Sequence, residues 1–222
     1  MKKGTLGVIG GMGVQATALF YEYLINLQSV QCEQEYLDVL IYSKPSIPDR
    51  TAFIVGKSDV SPLPALLHAA EVLETAKVDL IALPCVSSHH FYDEIASSVG
   101  VPMLHMPNEI ARAANGAGFK KIGILATSGT MQGRMFHKAF EPYGIEIIEP
   151  DENFQVRTMD FIYDIKKGGI TCEKKLELLA DSLTLQGAQT VVLGCTELSL
   201  AARNSRGWYI DSLKILAQAA LR

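Results

Sequence analysis

Apolar residues along the chain follow two spacings. Short continuous runs occur at 4–10, 36–42, 78–84, 121–126, 144–148 and 189–193, and VDLIALP and QTVVLG are apolar almost throughout. A strand that is apolar on both faces belongs in a parallel sheet covered by helices. Between these runs, apolar positions recur at helical intervals over 14–29, 62–76, 90–98, 107–116, 130–142, 153–166, 173–187 and 211–221. Alternation of the two patterns predicts an α/β protein with right-handed crossovers.

The pattern also repeats. GVIGGMG at 7–13 has a counterpart in IGILATSGT at 122–130: an apolar strand, a turn of small residues, then a helix. LIALPCVSSHH at 80–90 has a counterpart in VVLGCTELS at 191–199: an apolar strand, a small residue or proline, then cysteine and hydroxyl residues. Gly7 precedes Cys85 by nearly the same spacing as Gly123 precedes Cys195. Two similar α/β halves follow, with a break near 100–106. The expected division places 1–103 and 207–222 in a first half carrying Cys85, and 104–206 in a second half carrying Cys195. Ligands of open α/β sheets bind beyond the carboxyl ends of the strands. Both cysteines occupy such ends, so two facing halves would put them on opposite sides of one cleft.

Composition narrows the class of partner. The 222 residues fit one large domain or two small ones, and 48% hydrophobic with 20% charged residues is ordinary globular usage that excludes disorder as the main state. Twenty basic against 24 acidic residues give a net charge of −4, so no basic excess exists to neutralise phosphates. A small molecule is the expected partner, with neither nucleic acid nor membrane. The start, MKKGTLGVIGGMG, carries two lysines before a short apolar stretch, but its glycines read as a buried first strand rather than a leader. No apolar run approaches the ~20 residues of a membrane span. Cys32, Cys85, Cys172 and Cys195 are scattered without metal-type pairing, which fits free thiols in a cytoplasmic protein.

Two thiols across a cleft suggest a specific chemistry. One thiolate takes a proton from carbon and the opposite thiol returns one on the other face, inverting a stereocentre without metal or cofactor. Both cysteines precede expected helix starts, at Ser87 or Ser88 and at Thr196, where backbone N–H groups lower a thiol pKa. A single free cysteine is as often a packing residue. The matched pair is what points to catalysis. Arg50, in the loop SKPSIPDRTAF, reads alone as a surface arginine, and Lys166 as a lysine at a helix C-terminus. His89 and His90 follow Cys85 without further ligands for zinc. His89 reads as a partner of Cys85 or a capping group, and Phe91 and Tyr92 as core. Gly11-Met12-Gly13-Val14-Gln15-Ala16 matches the dinucleotide pattern G-x-G-x-x-A, with Glu33 or Glu35 about 20 residues on. The alternative is a tight turn that lets a small ligand approach the backbone.

GVIGGMG followed by AT, IPDRTA, PC with HxFYDEI, ILATSGT, IYDIK and LGCTELSL occur here in one order. Together they resemble the aspartate/glutamate racemase family, the cofactor-independent two-cysteine amino-acid racemases, over nearly the whole chain. The resemblance implies two pseudo-symmetric α/β domains, each a mostly parallel sheet flanked by helices, with the active site in the cleft between them. It implies a homodimer that acts on an acidic amino acid without pyridoxal phosphate or metal. Cys85 and Cys195 match the catalytic acid/base pair. Arg50 and Lys166 match the groups that hold the substrate's side-chain carboxylate, and Met12 lines the same pocket. Ser87, Thr130 and Thr196 match positions that hold the α-carboxylate and ammonium. Val86 stands where the family usually has a substrate-contacting asparagine, and Val14 where proline is usual. The same resemblance admits maleate isomerases, hydantoin racemases and malonate decarboxylases. A non-catalytic binder of amino acids or nucleotides is the alternative of another class.

Overall fold

Strand β1 (Thr5–Gly10) lies between β2 (Asp38–Ser43) and β3 (Leu80–Ala82), all parallel, with Gly7 level with Leu40 on one side and Ile81 on the other. Strand β4 (Lys121–Leu125) lies between β5 (Glu146–Ile148) and β6 (Thr190–Leu193), again all parallel, and β7 (Tyr209–Asp211) adds beyond β6. In each sheet the first strand is central and the next two flank it. This computed structural model, which describes residues 4–169, 171–205 and 208–222, therefore shows two α/β halves of one topology. Of the segment 207–222 expected in the first half, 209–211 is hydrogen-bonded to β6 on the second sheet. Residues 1–3, 170, 206 and 207 of the expected ranges lie outside the described residues.

Eleven α-helices connect and cover the sheets among the described residues: α1 (Val14–Asn26), α2 (Arg50–Ile54), α3 (Leu63–Thr75), α4 (Tyr92–Ser97), α5 (Met106–Gly116), α6 (Ser128–Gln132), α7 (Met135–Phe140), α8 (Glu152–Lys166), α9 (Glu173–Thr184), α10 (Thr196–Ala201) and α11 (Ser212–Ala220). Three begin at aspartates that cap them: Asp49 accepts from the Ala52 amide, Asp151 from Phe154, and Asp211 from Leu213 and Lys214. The helix expected over 130–142 is two, because Arg134 adopts φ 51° between α6 and α7. The helix expected over 90–98 starts earlier as a 3₁₀ turn, Val86–Phe91, and continues as α4.

Apolar side chains gather in three clusters among the described residues. The largest joins the halves through Phe20 of α1, Ile110 of α5, Phe136 of α7 and Leu216 of α11. A second lies under β6 and includes Cys195, and a third lies under β1 and β3 and includes Cys85, Met12 and Phe91. Phe91 is thus core, whereas Tyr92 is partly exposed and donates its hydroxyl to the Met103 carbonyl at 2.7 Å. The halves also meet through α2 and α6, where Thr51 donates to Thr127 at 3.0 Å, and through α1 and α10.

His89 anchors the turn that carries Cys85. It is buried, its Nδ1 donates to the Cys85 carbonyl at 3.0 Å, and its Nε2 accepts the Met106 amide of α5 at 3.0 Å. That pairing requires the neutral ring. Burial, with a smaller push from His105, lowers the His89 pKa to about 4. An unfolded histidine titrates near 6.5, so between about pH 6.5 and pH 4 the unfolded chain binds more protons than the native one. Stability is then full above about pH 6.5 and falls by about 3 kcal/mol as the pH drops to about 4. Urea unfolding at stepped pH measures this slope, and His89→Gln is expected to be less stable at neutral pH but to lose much less on acidification. An equal acid slope in both proteins refutes the assignment.

Candidate active site

The two cysteines occupy equivalent places. Cys85 follows β3 at the start of the 3₁₀ turn, and Cys195 follows β6 at the start of α10. Both have extended backbones, which hand the chain from strand to helical turn, and both are buried, at 3% and 7% exposure. Their immediate partners differ. Cys85 Sγ lies 3.5 Å from the Ser87 hydroxyl, whereas the Cys195 thiol donates to Glu197 Oε2 at 2.9 Å.

A cleft of about 580 Å³ opens between the halves, lined by Met12, Gly13, Arg50, Lys166 and Glu197 among others; the two thiols are not in its lining and border it through Met12 and Glu197. Four segments build it: the β1–α1 turn, the segment before α2, the end of α8 and the start of α10. The first turn must stay narrow, because Gly11 has φ +94° and a Cβ there would stand 2.6 Å from the Lys44 backbone. Gly13 begins α1 without a capping side chain, and its own Cβ position lies 2.9 Å from Glu197 Oε1. Ser88 of the Cys85 turn donates to Met12 Sδ at 3.4 Å, tying the cleft lining to the first thiol.

Two cations sit in this cleft. Arg50 is buried; its Nη1 donates to the Pro48 carbonyl at 2.8 Å and the Ile47 carbonyl at 3.2 Å, while its Nε has no hydrogen-bond partner. Lys166 Nζ pairs with Glu197 Oε1 at 3.2 Å, an ionic contact without an aligned hydrogen bond. Burial pushes the Cys85 thiol up, but Arg50, Lys166 and the hydroxyls of Ser88 and Ser87 together leave it below the ordinary value. Burial pushes the Cys195 thiol well up, and Glu197 adds to this while Lys166 opposes it. Burial tends to lower the Lys166 pKa, yet Glu197 and both thiols raise it overall, so it is held as ammonium. One cation therefore bears on both thiols.

A second ring of side chains holds these groups. Tyr163, one turn before Lys166 on α8, donates to Asp49 at 2.8 Å. Burial and that carboxylate raise the tyrosine pKa to about 12, so it remains a donor. Asp49 in turn stands beside Arg50 and caps α2, linking the two halves next to the cations.

The other expected site residues divide. Ser87 and Thr196 are buried beside the thiols, and Thr196 Oγ1 lies 3.4 Å from Glu197 Oε2. Thr130 is buried in a hydroxyl chain with Thr127 and Thr51 that crosses between the halves, away from the cleft lining. Val86 packs into the largest apolar cluster. Glu197 is the residue that sequence reasoning passed over. An acid in the first turn of a helix is ordinary dipole complementation, and only its 3% exposure and its contact with Cys195 give it away.

The glycine pattern of the first turn does not favour a dinucleotide. A phosphate would need the N-terminus of α1, and there the Glu197 carboxylate already stands against Gly13. Among the described residues no group of three or more His, Cys, Asp or Glu is arranged to hold a metal, and no helix is long and apolar enough to cross a membrane.

Comparison with known proteins agrees with this geometry. The broad specificity amino-acid racemase RacX of Bacillus subtilis is 28% identical over 97% of this chain and 96% of its own. The aspartate racemase of Picrophilus torridus superposes with a TM-score of 0.86 at 25% identity, over 98% of this chain and 93% of the other. An aspartate racemase homologue from Pyrococcus horikoshii gives 0.77 at 25% identity, over 100% and 98%. The family model described as Asp/Glu/hydantoin racemase matches residues 9–220. By that match, which takes in the cleft and both thiols, the chain belongs to the Asp/Glu/hydantoin racemase family and is an isomerase of the amino-acid racemase kind.

Proposed function

We propose that this protein interconverts L- and D-aspartate, with glutamate or a broader set of amino acids as the wider form of the same reading, by two-base catalysis at Cys85 and Cys195 without a cofactor. One observation carries it: two buried thiols at equivalent strand ends of matched halves, with Lys166 paired to the Glu197 that accepts the Cys195 proton. The Cys85 thiolate takes the Cα proton, forming its S–H bond. The electron pair left on Cα spreads into the α-carboxylate, and the Cys195 S–H bond breaks as its proton reaches the opposite face. The product leaves Cys85 as thiol and Cys195 as thiolate, ready for the reverse reaction. Preorganised donors lining the cleft, Arg50 and Lys166 among them, supply the stabilisation of the carbanion.

Arg50 and Lys166 hold the side-chain carboxylate in this reading, and Met12 lines the pocket. Ser87 and Thr196, beside the thiols, serve the α-carboxylate and ammonium, whereas Thr130 lies in the hydroxyl chain away from the cleft lining and is not assigned to the substrate. The unpartnered Arg50 Nε supports a ligand carboxylate, since a buried donor without a partner is costly. Val86 offers no side-chain hydrogen bond and packs into the apolar core, so it leaves the choice between aspartate and a broader set of amino acids open. The reading also includes a division into halves near residue 103, a homodimer and a cytoplasmic location.

Proton NMR of L-aspartate and L-glutamate in D₂O with reduced protein and no added cofactor tests the proposal. Loss of the Cα–H signal, with the D-enantiomer appearing on a chiral column, is the expected result. Absence of exchange and inversion for both acids and for a panel of neutral and basic amino acids rules it out.

A further inference from the structure

Position two after each cysteine breaks the symmetry of the site. In the first half it is Ser87, a neutral hydroxyl 3.5 Å from the thiol. In the second it is Glu197, a buried carboxylate that accepts the thiol proton at 2.9 Å and is fixed from its other oxygen by Lys166. We infer that Glu197 is a positioning residue that keeps the proton on Cys195 in the resting site, so that Cys85 enters the reaction as base and Cys195 as acid. The inference rests on the two-thiol reading, but its readout is thiol ionisation, which is measurable with or without turnover.

The surroundings leave Glu197 this role. The charges that bear most on Cys195 are Glu197 and Lys166. On the elements packed against α10, Glu22 of α1 is engaged by Arg203, and Asp211 before α11 accepts from Ser199 and Tyr23. Asp164 of α8 pairs with Lys175 of α9, and Glu173, Glu177 and Asp181 of α9 bear on Tyr209. Burial and the Glu197 carboxylate both disfavour a second negative charge on Cys195. Cys85 has the opposite setting, with Arg50 and Lys166 near it. A thiolate on Cys195 therefore forms mainly when Cys195 has just given its proton to a carbanion, and it stands next to a carboxylate that favours taking a proton back.

Glu197→Gln tests this, because the amide keeps the shape and removes the charge. Carbon-13-labelled cysteine reports each thiol's ionisation through its Cβ shift, needs no reagent access, and is assigned with single Cys→Ser variants. In the unmodified protein Cys85 is expected to ionise at a lower pH than Cys195. In Glu197→Gln the Cys195 midpoint is expected to fall by about one pH unit or more, with a smaller change at Cys85. The basic limb of the kcat/KM profile moves down with it, read as a property of the coupled pair. An unmoved Cys195 midpoint, or an equal movement of both thiols, overturns the inference. Racemisation with an unmoved Cys195 removes this inference alone. A selective shift without racemisation of any amino acid removes the proposed function and leaves the proton assignment standing.

Discussion

Cys85→Ser and Cys195→Ser each lose racemisation of aspartate by about 10³-fold or more, because each removes one of two acid/base groups and such groups contribute about 10²–10⁴. Serine keeps nearly the same volume at sites that are 3% and 7% exposed, so folding is preserved and the loss reads chemistry. The two variants do not fail alike. With Cys195 replaced, Cys85 still removes and returns the α-proton of one enantiomer, exchanging it for deuterium without inversion. With Cys85 replaced, the exchanged enantiomer is the opposite one. Exchange is slower in that second variant, since the remaining thiol is the one bound to Glu197. Following Cα–H loss for each pure enantiomer measures all four rates. Because the two enantiomers are equally stable, any single substitution must change kcat/KM equally in both directions of net racemisation. Exchange alone escapes that constraint and is the informative quantity. Normal racemisation by either variant would falsify the two-thiol mechanism.

The halves and their thiols were legible because they rest on long-lived patterns. A run buried throughout, such as TVVL, fits a strand inside a parallel sheet covered by helices, and a turn of small residues after it marks the carboxyl end. The repeat of that mark at Cys85 and Cys195 was enough to place both at strand ends. What escaped was short. α2 has five residues, less than the length over which a helical period emerges, and of α10, with six, only the start at Thr196 was legible. Strand β7 has three half-buried residues after an unremarkable turn, and only its hydrogen bonds to β6 define it. The break at Arg134 depends on a left-handed residue that is not glycine, which no local rule anticipates. Glu197 escaped for a different reason. Its sequence position has a sufficient ordinary explanation, and its contacts with Cys195 and Lys166 come from elements far apart in the chain.

Lys166→Met is expected to cost about 10²- to 10³-fold in kcat/KM for aspartate, the product of two losses. A hydrogen bond from a charged group to the substrate carboxylate is worth about 1.5–3 kcal/mol, or one to two decades. The second loss falls on the thiols. Cys85 keeps only Arg50 of its two cations, so its ionisation moves to higher pH, less thiolate is present at neutrality, and the acid limb of the kcat/KM profile moves up. Glu197 is left buried without its cation, and breaking such a buried pair costs ~3–5 kcal/mol of stability. Lys166→Arg separates the losses. It keeps the charge near both thiols but replaces a point ammonium with a planar fork, so the acid limb stays while substrate binding suffers. Comparing aspartate with alanine separates them further. The carboxylate loss applies to aspartate alone, whereas the thiolate loss applies to both substrates. If the acid limb stays where it is in Lys166→Met, the ammonium does not support the Cys85 thiolate. If aspartate and alanine then lose rate equally, it does not hold the substrate's side chain either.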